Sequence, residues 1–129
     1  MSHREAVMAP DAPAPAGPYS HAVRSGGLLF CSGQVPIDPA TGKLVEGSIG
    51  DQARQCLENL TTVCRRSGVT LADAVRMSIY VTDISTFAQV NEVYGAYFAA
   101  DPPARTTIGV AALPGGAQIE MDAIVALRD

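Results

Sequence analysis

Tryptophan is absent from this 129-residue chain, and Phe and Tyr together make up only 5% of it. Its core must be filled by Val, Ile, Leu, Ala and Met. The length suffices for one such core and not for two, so residues 1–129 are read as a single domain. Histidine occurs only at His3 and His21, neither with an Asp or Cys at a spacing that suggests a catalytic partner. The three cysteines, Cys31, Cys56 and Cys64, have no CxxC spacing, which speaks against a disulfide framework and a zinc site. A glycine-rich phosphate loop and an HExxH metal motif are both missing. No run approaches the roughly 18 apolar residues of a membrane span, and the polar start Met1-Ser2-His3-Arg4-Glu5 carries no secretory core. A soluble cytoplasmic protein is expected, without a membrane partner.

Positive charge is also scarce. Nine Lys and Arg against 13 Asp and Glu give a net charge of −4 and a pI near 5.0. The basic residues are scattered, and the one adjacent pair, Arg65-Arg66, falls near the end of a predicted helix, where cations suit the macrodipole. Binding to a phosphate backbone needs clustered Lys and Arg, so no nucleic-acid partner is expected.

What the chain does have is 47% hydrophobic against 17% charged residues, a globular composition. Residues 9–18 carry prolines at 10, 13, 15 and 18, which bar helix and central strand and favour extended backbone. Because this stretch runs straight into Tyr19-Ser20-His21, it suits a clamp over a loop as well as a tail. Leu28-Leu29-Phe30-Cys31, after Gly26-Gly27, reads as a buried strand ending at Ser32-Gly33-Gln34. Pro36, Asp38 and Gly42 mark a turn-rich loop. Ala53, Leu57, Leu60 and Cys64 share one helical face, predicting a helix from Ile49 to Arg66 closed by Gly68. Val75 to Thr82 alternates, with Val75, Met77, Ile79 and Val81 on one face and Arg76, Ser78, Tyr80 and Thr82 on the other. Asp83 can cap a second helix carrying Phe87, Val90, Tyr94 and Tyr97, ended by Asp101-Pro102-Pro103. Strands are then predicted over Arg105–Ala111 and Gln118–Leu127, with Ile119, Met121, Ala123, Val125 and Leu127 facing one way and Glu120 and Asp122 the other. The result is an α+β fold, a mixed sheet with two helices on one face. The other face, with Tyr80, Ile124 and Ala126, is too apolar for solvent and predicts burial by oligomerisation.

Several residues lie where packing alone would not require them. Arg105 follows Pro102-Pro103 and could grip a carboxylate with two prongs. Glu120 sits among apolar residues, where lost solvation would raise its pKa toward neutrality. Tyr19 could lay its ring over a small substrate, and Ser32-Gly33 allows a ligand close to the backbone. Each has a plain alternative: a surface Arg, a salt-bridging Glu, a core-edge Tyr, an ordinary bulge. His21 is read as a polar loop residue.

In chain order, Gly17-Pro18-Tyr19-Ser20, Ser32-Gly33-Gln34-Val35-Pro36, Gln52-Ala53-Arg54-Gln55 with Leu57-Glu58-Asn59-Leu60, Val81-Thr82-Asp83-Ile84 with Phe87-Ala88-Gln89-Val90-Asn91, Pro103-Ala104-Arg105-Thr106 and Ile119-Glu120-Met121-Asp122-Ala123-Ile124 resemble the motifs of the Rid family (reactive intermediate deaminase, YjgF-like, L-PSP). The resemblance implies a chorismate-mutase-like fold, a homotrimer, and sites in the clefts between subunits. It also implies that Arg105 binds the substrate carboxylate, that Glu120 positions or activates water, and that Tyr19, Ser32, Gly33 and Asn91 shape the pocket. The implied reaction is hydrolysis of small enamine or imine carboxylates, such as 2-aminoacrylate and its tautomer 2-iminopropionate, to 2-keto acids and ammonia without a cofactor. Thr107 departs from the Cys that many archetypal members carry two residues after the arginine, which leaves substrate preference open at that binding position. The alternatives are a non-catalytic carboxylate-binding regulatory trimer and an L-PSP-type endoribonuclease or translation inhibitor. The acidic charge and the lack of paired histidines disfavour the latter.

Overall fold

A computed structural model describes residues 3–128. The elements in chain order are β1 (Glu5–Val7), β2 (Ala22–Ser25), β3 (Leu28–Gln34), β4 (Ile37–Asp38), β5 (Lys43–Leu44), α1 (Ile49–Arg66), β6 (Ala74–Val81), α2 (Phe87–Tyr97), β7 (Ala104–Gly109) and β8 (Ile119–Ala126). Six strands form one sheet in the order β1-β2-β3-β8-β6-β7, and β4 and β5 form a separate hairpin. Only β6 and β7 run parallel, because α2 carries the chain back to the start of a neighbouring strand. The α+β reading holds.

α1 spans the range its periodicity predicts. Ser48 and Asp51 form a reciprocal capping box, with the Asp51 amide donating to Ser48 Oγ at 3.1 Å and the Ser48 amide to Asp51 Oδ2 at 3.2 Å. At the other end Gly68 takes φ +73°, and the Gly68 and Val69 amides close onto the Arg65 and Cys64 carbonyls. Between these caps, Ala53, Cys56, Leu57, Leu60, Val63 and Cys64 are wholly buried against the sheet. Each large apolar side chain so buried contributes about 1.5–3 kcal/mol. The facing side of the sheet supplies Leu29, Met77, Ile79, Ile119, Met121 and Val125.

Three sequence expectations need correction. β3 ends at Gln34, as the sequence suggested, with a shift in register against β8 between Cys31 and Gln34, but it is not buried throughout. It alternates, so Phe30 is exposed on the outer face while Leu29 and Cys31 are buried. In β6 a shift against β8 between Ala74 and Arg76 turns Val75 out of the predicted core face, leaving it 45% exposed; a bulge breaks strict alternation. Asp83 caps a single 3₁₀ turn, Ile84–Thr86, and α2 starts only at Phe87.

The proline-rich segment is docked on the domain. Ala9 and Ala12 are buried, and the Ala12 amide donates to the Ala9 carbonyl at 3.0 Å. The outer sheet face presents Phe30, Ile108 and Tyr80, so it is apolar, as the sequence suggested.

Candidate active site

The sheet builds one half of the candidate site around Glu120. β8 places this residue opposite Tyr80 of β6, on the face away from the helices. Across from it, the bulge in β3 brings the Gly33 backbone so close that a Cβ there would overlap the Glu120 carboxylate. Ser32 is held in the bulge by its amide, which donates to the His21 carbonyl at 2.9 Å, and by its hydroxyl, which donates to the Ser20 carbonyl at 2.6 Å. Tyr19 lies in the chain over this spot, its hydroxyl accepting the Ala16 amide at 3.1 Å. Tyr19, Gly33, Gln34, Val35, Pro114 and Glu120 line one cleft of about 70 Å³.

No hydrogen bond or ion pair holds the Glu120 carboxylate among the described residues. Partial burial, and then the neighbouring charge of Asp122, push its pKa above the ordinary carboxylate value. Asp122 itself accepts the Tyr80 hydroxyl at 3.0 Å. Glu120 is thus a carboxyl of elevated basicity, without a partner, facing a small cleft.

The second half gathers between β7 and α2. Phe87, Asn91 and Tyr94 are spaced four and three apart and so share a face of α2. The Arg105 guanidinium lies 4.7 Å from the Tyr94 ring centroid and 5.3 Å from that of Phe87. Stacking on two rings fixes the cation without consuming its hydrogen-bond donors. No carboxylate pairs with Arg105 among the described residues. Around it, Asn91 Oδ1, Tyr94 Oη and Thr107 Oγ1 are buried without a hydrogen-bond partner. Such atoms are costly unless something completes them.

One chain does not bring Arg105 and Glu120 together. Arg105 is in register with Met77 of the core face, whereas Glu120 is in register with Tyr80. Met77 and Tyr80 are three residues apart on one strand, so their side chains leave opposite faces. Tyr19, Ser32 and Gly33 therefore group with Glu120, and Asn91 and Thr107 with Arg105.

The pattern of the family described as Endoribonuclease L-PSP matches residues 9–127. A RutC family protein of Pyrococcus horikoshii is 44% identical over 121 residues, covering 94% of this chain and 96% of its own. The chain belongs to the L-PSP (Rid, YjgF-like) family. Within that family it is also 42% identical to Reactive Intermediate Deaminase A, chloroplastic, of Arabidopsis thaliana, across 96% of this chain and 66% of that protein. The crystal structure of the YjgF gene product of E. coli superposes with a TM-score of 0.90 at 36% identity, covering 96% of this chain and 99% of that one. This Rid chain thus shares the family fold over nearly its whole length.

Sequence reasoning missed the part played by four residues. Asn59 is 1% exposed and donates to the Ile37 carbonyl at 2.9 Å, fixing the hairpin loop beside the Glu120 cleft, while its own Oδ1 accepts from Gln55. Phe87 and Tyr94, assigned only to a helix face, form the shelf under Arg105. His21 does lie in the loop before β2, as read, but is 3% exposed and spends its ring on backbone groups. A buried polar group on an otherwise regular segment was the available signal for Asn59; for His21 there was none. Cys31 faces the core, and the adjacent Cys64 thiol and burial push its own thiol far up, consistent with an inert role. No helix among the described residues is long and apolar enough to cross a membrane.

Proposed function

We propose that this Rid protein hydrolyses reactive enamine and imine carboxylates, of the 2-iminopropanoate and 2-iminobutanoate type, to 2-keto acids and ammonia. The observation that carries the reading is the pair of incomplete half-sites on opposite faces of the sheet. One offers a fixed cation with free donors, and the other an unpartnered carboxyl of raised pKa. A homotrimer packed through the apolar outer faces would bring Arg105 of one copy to Glu120 of the next. The name of the Arabidopsis relative supports the reaction class.

Arg105 then holds the substrate carboxylate, with Asn91 and Thr107 beside it. Glu120 accepts a proton from water as its oxygen adds to the imine carbon, giving a carbinolamine. That proton passes to nitrogen; the carbinolamine hydroxyl then gives up its own proton through Glu120 to the same nitrogen as the C=O bond forms and the C–N bond breaks, and ketone and ammonia leave. For 2-iminopropanoate, substrate plus one water equals pyruvate plus ammonia. Positioning the three parties and one proton carrier suffices, because such additions need only general acid–base help, typically worth about 10²–10⁴-fold. This chemistry calls for no cofactor.

The endoribonuclease reading finds less support. His21 is locked in backbone hydrogen bonds, leaving no pair of histidines for acid–base work on a phosphodiester. The deciding experiment supplies freshly generated 2-aminoacrylate to purified protein and follows loss of imine absorbance. Accelerated decay that disappears with Arg105→Ala is expected; decay at the uncatalysed rate would overturn the proposal in favour of a carboxylate-binding role.

A further inference from the structure

We infer that His21 is a positioning residue for this site: it pins the proline-rich strap that forms one wall of the Glu120 cleft. The inference rests on the deaminase reading for its kinetic consequence, though the pin itself stands on geometry alone.

His21 does not line the cleft. Its ring lies beneath the strap, with Nδ1 accepting the Ala9 amide at 2.8 Å and Nε2 placed 2.7 Å from the Pro13 carbonyl oxygen. An amide can only donate and a carbonyl only accept, so Nδ1 takes the acceptor role and Nε2 the donor role. Both ring nitrogens are spent on the strap, at two points four residues apart. From the second of these the strap continues directly into the cleft wall, where Pro13, Ala14, Ala16 and Tyr19 face Gly33 and Glu120. Its far end is tied again, by the Ala16 amide to the Tyr19 hydroxyl.

These ties matter because the strap can make few others. Four prolines in residues 9–18 remove four amide donors, and no strand pairs with the segment. The backbone of His21 is itself anchored to the sheet, since its carbonyl accepts the Ser32 amide. His21 therefore couples the bulge that places Gly33 to the strap that places Tyr19. Both walls of the cleft are referred to one buried ring.

The test compares wild type, His21→Leu and His21→Gln by imine kinetics and by amide hydrogen exchange across residues 9–16. Leucine keeps bulk but can neither accept nor donate; glutamine carries one acceptor and one donor. The expected results for His21→Leu are faster exchange at Ala9 and Ala12 and a KM raised about tenfold with kcat within about twofold, since the wall contributes binding rather than proton transfer. His21→Gln should restore both. Should His21→Leu fail to fold, Ala9→Pro removes the donor opposite Nδ1 while leaving the histidine in place, and should give faster exchange at Ala12 with the same rise in KM. Unaltered exchange in folded His21→Leu, or in Ala9→Pro in its place, would overturn the pin. Faster exchange with unaltered KM would overturn the positioning role. A wild type that does not accelerate imine loss would overturn the deaminase reading instead, and exchange alone would then decide the pin.

Discussion

Gly33 and Glu120 face each other across the β3–β8 pairing with no room between them for a single methyl group. The atom a Cβ would strike is a carboxylate oxygen, at the far end of a flexible side chain, and the carboxyl carbon lies only 3.0 Å away. Gly33→Ala is therefore expected to swing the carboxylate aside rather than break the sheet. Activity on 2-aminoacrylate should fall at least about tenfold while Tm shifts by only a few degrees, as for a destabilisation of about 1 kcal/mol. Thermal unfolding and imine kinetics on the same preparation check it; an active variant would show that Glu120 does not need its present position.

Glu120→Gln should lower kcat by about 10²-fold or more, the usual worth of a general base. The pH profile gives a sharper reading. A base works as the carboxylate, so wild-type kcat/KM should fall as pH drops through the raised Glu120 pKa, and the residual activity of the Gln variant should lose that limb. Stability follows the opposite sense. A carboxyl whose folded pKa is raised holds its proton more tightly when folded, so it costs stability as pH rises from the unfolded value through the folded one. Near neutrality the Gln variant should melt at or above the wild-type temperature.

Arg105→Ala should remove carboxylate binding and reduce kcat/KM by at least about 10²-fold, the loss expected when a charge-assisted contact of roughly 3 kcal/mol disappears. Arg105→Lys keeps the charge but neither the fork nor the flat stacking on Tyr94 and Phe87, and should recover little. Sedimentation should show both variants in the wild-type assembly.

Thr107 tests the buried hydroxyl that lacks a partner. Thr107→Val removes an uncompensated polar atom of the same shape, so the protein should be as stable as wild type or more so. If the hydroxyl meets substrate, KM should rise several-fold; equal KM for both would assign Thr107 to packing alone.

Ser48→Ala removes one partner of the capping box of α1 and should cost about 1 kcal/mol, read as a lowered midpoint in urea. No change in kcat is expected, because the helix start does not line either half-site.

Much of this was legible in the residues. α1 declares itself through the spacing of Ala53, Leu57, Leu60 and Cys64, and β8 through the alternation of Ile119 to Val125, because each buries one face continuously. At Ser32-Gly33 a bulge is one of the readings the residues allow, and β3 has one there; in β6 the predicted alternation fails at Val75, where a bulge interrupts the period. No local pattern announces that second bulge, since it depends on the partner strand. Arg105 and Glu120 stand out in the sequence as polar residues where packing would not require them, but their separation across the sheet is a matter of register, and register is set by pairing. His21 shows the same limit more sharply: its partners are backbone atoms of Ala9 and Pro13, and backbone atoms have no signature in a sequence.

The placement of Arg105 and Glu120 on opposite faces has a genetic reading as well. In the proposed ring of three, a chain is not the owner of any one site; it lends a cation to one neighbour and a carboxylate to the other. Two inactive chains, one Arg105→Ala and one Glu120→Gln, should therefore rescue each other when refolded together, with about a quarter of the interfaces in an equal random mixture receiving both intact halves. Lesions in the two halves would complement, and lesions within the same half would not.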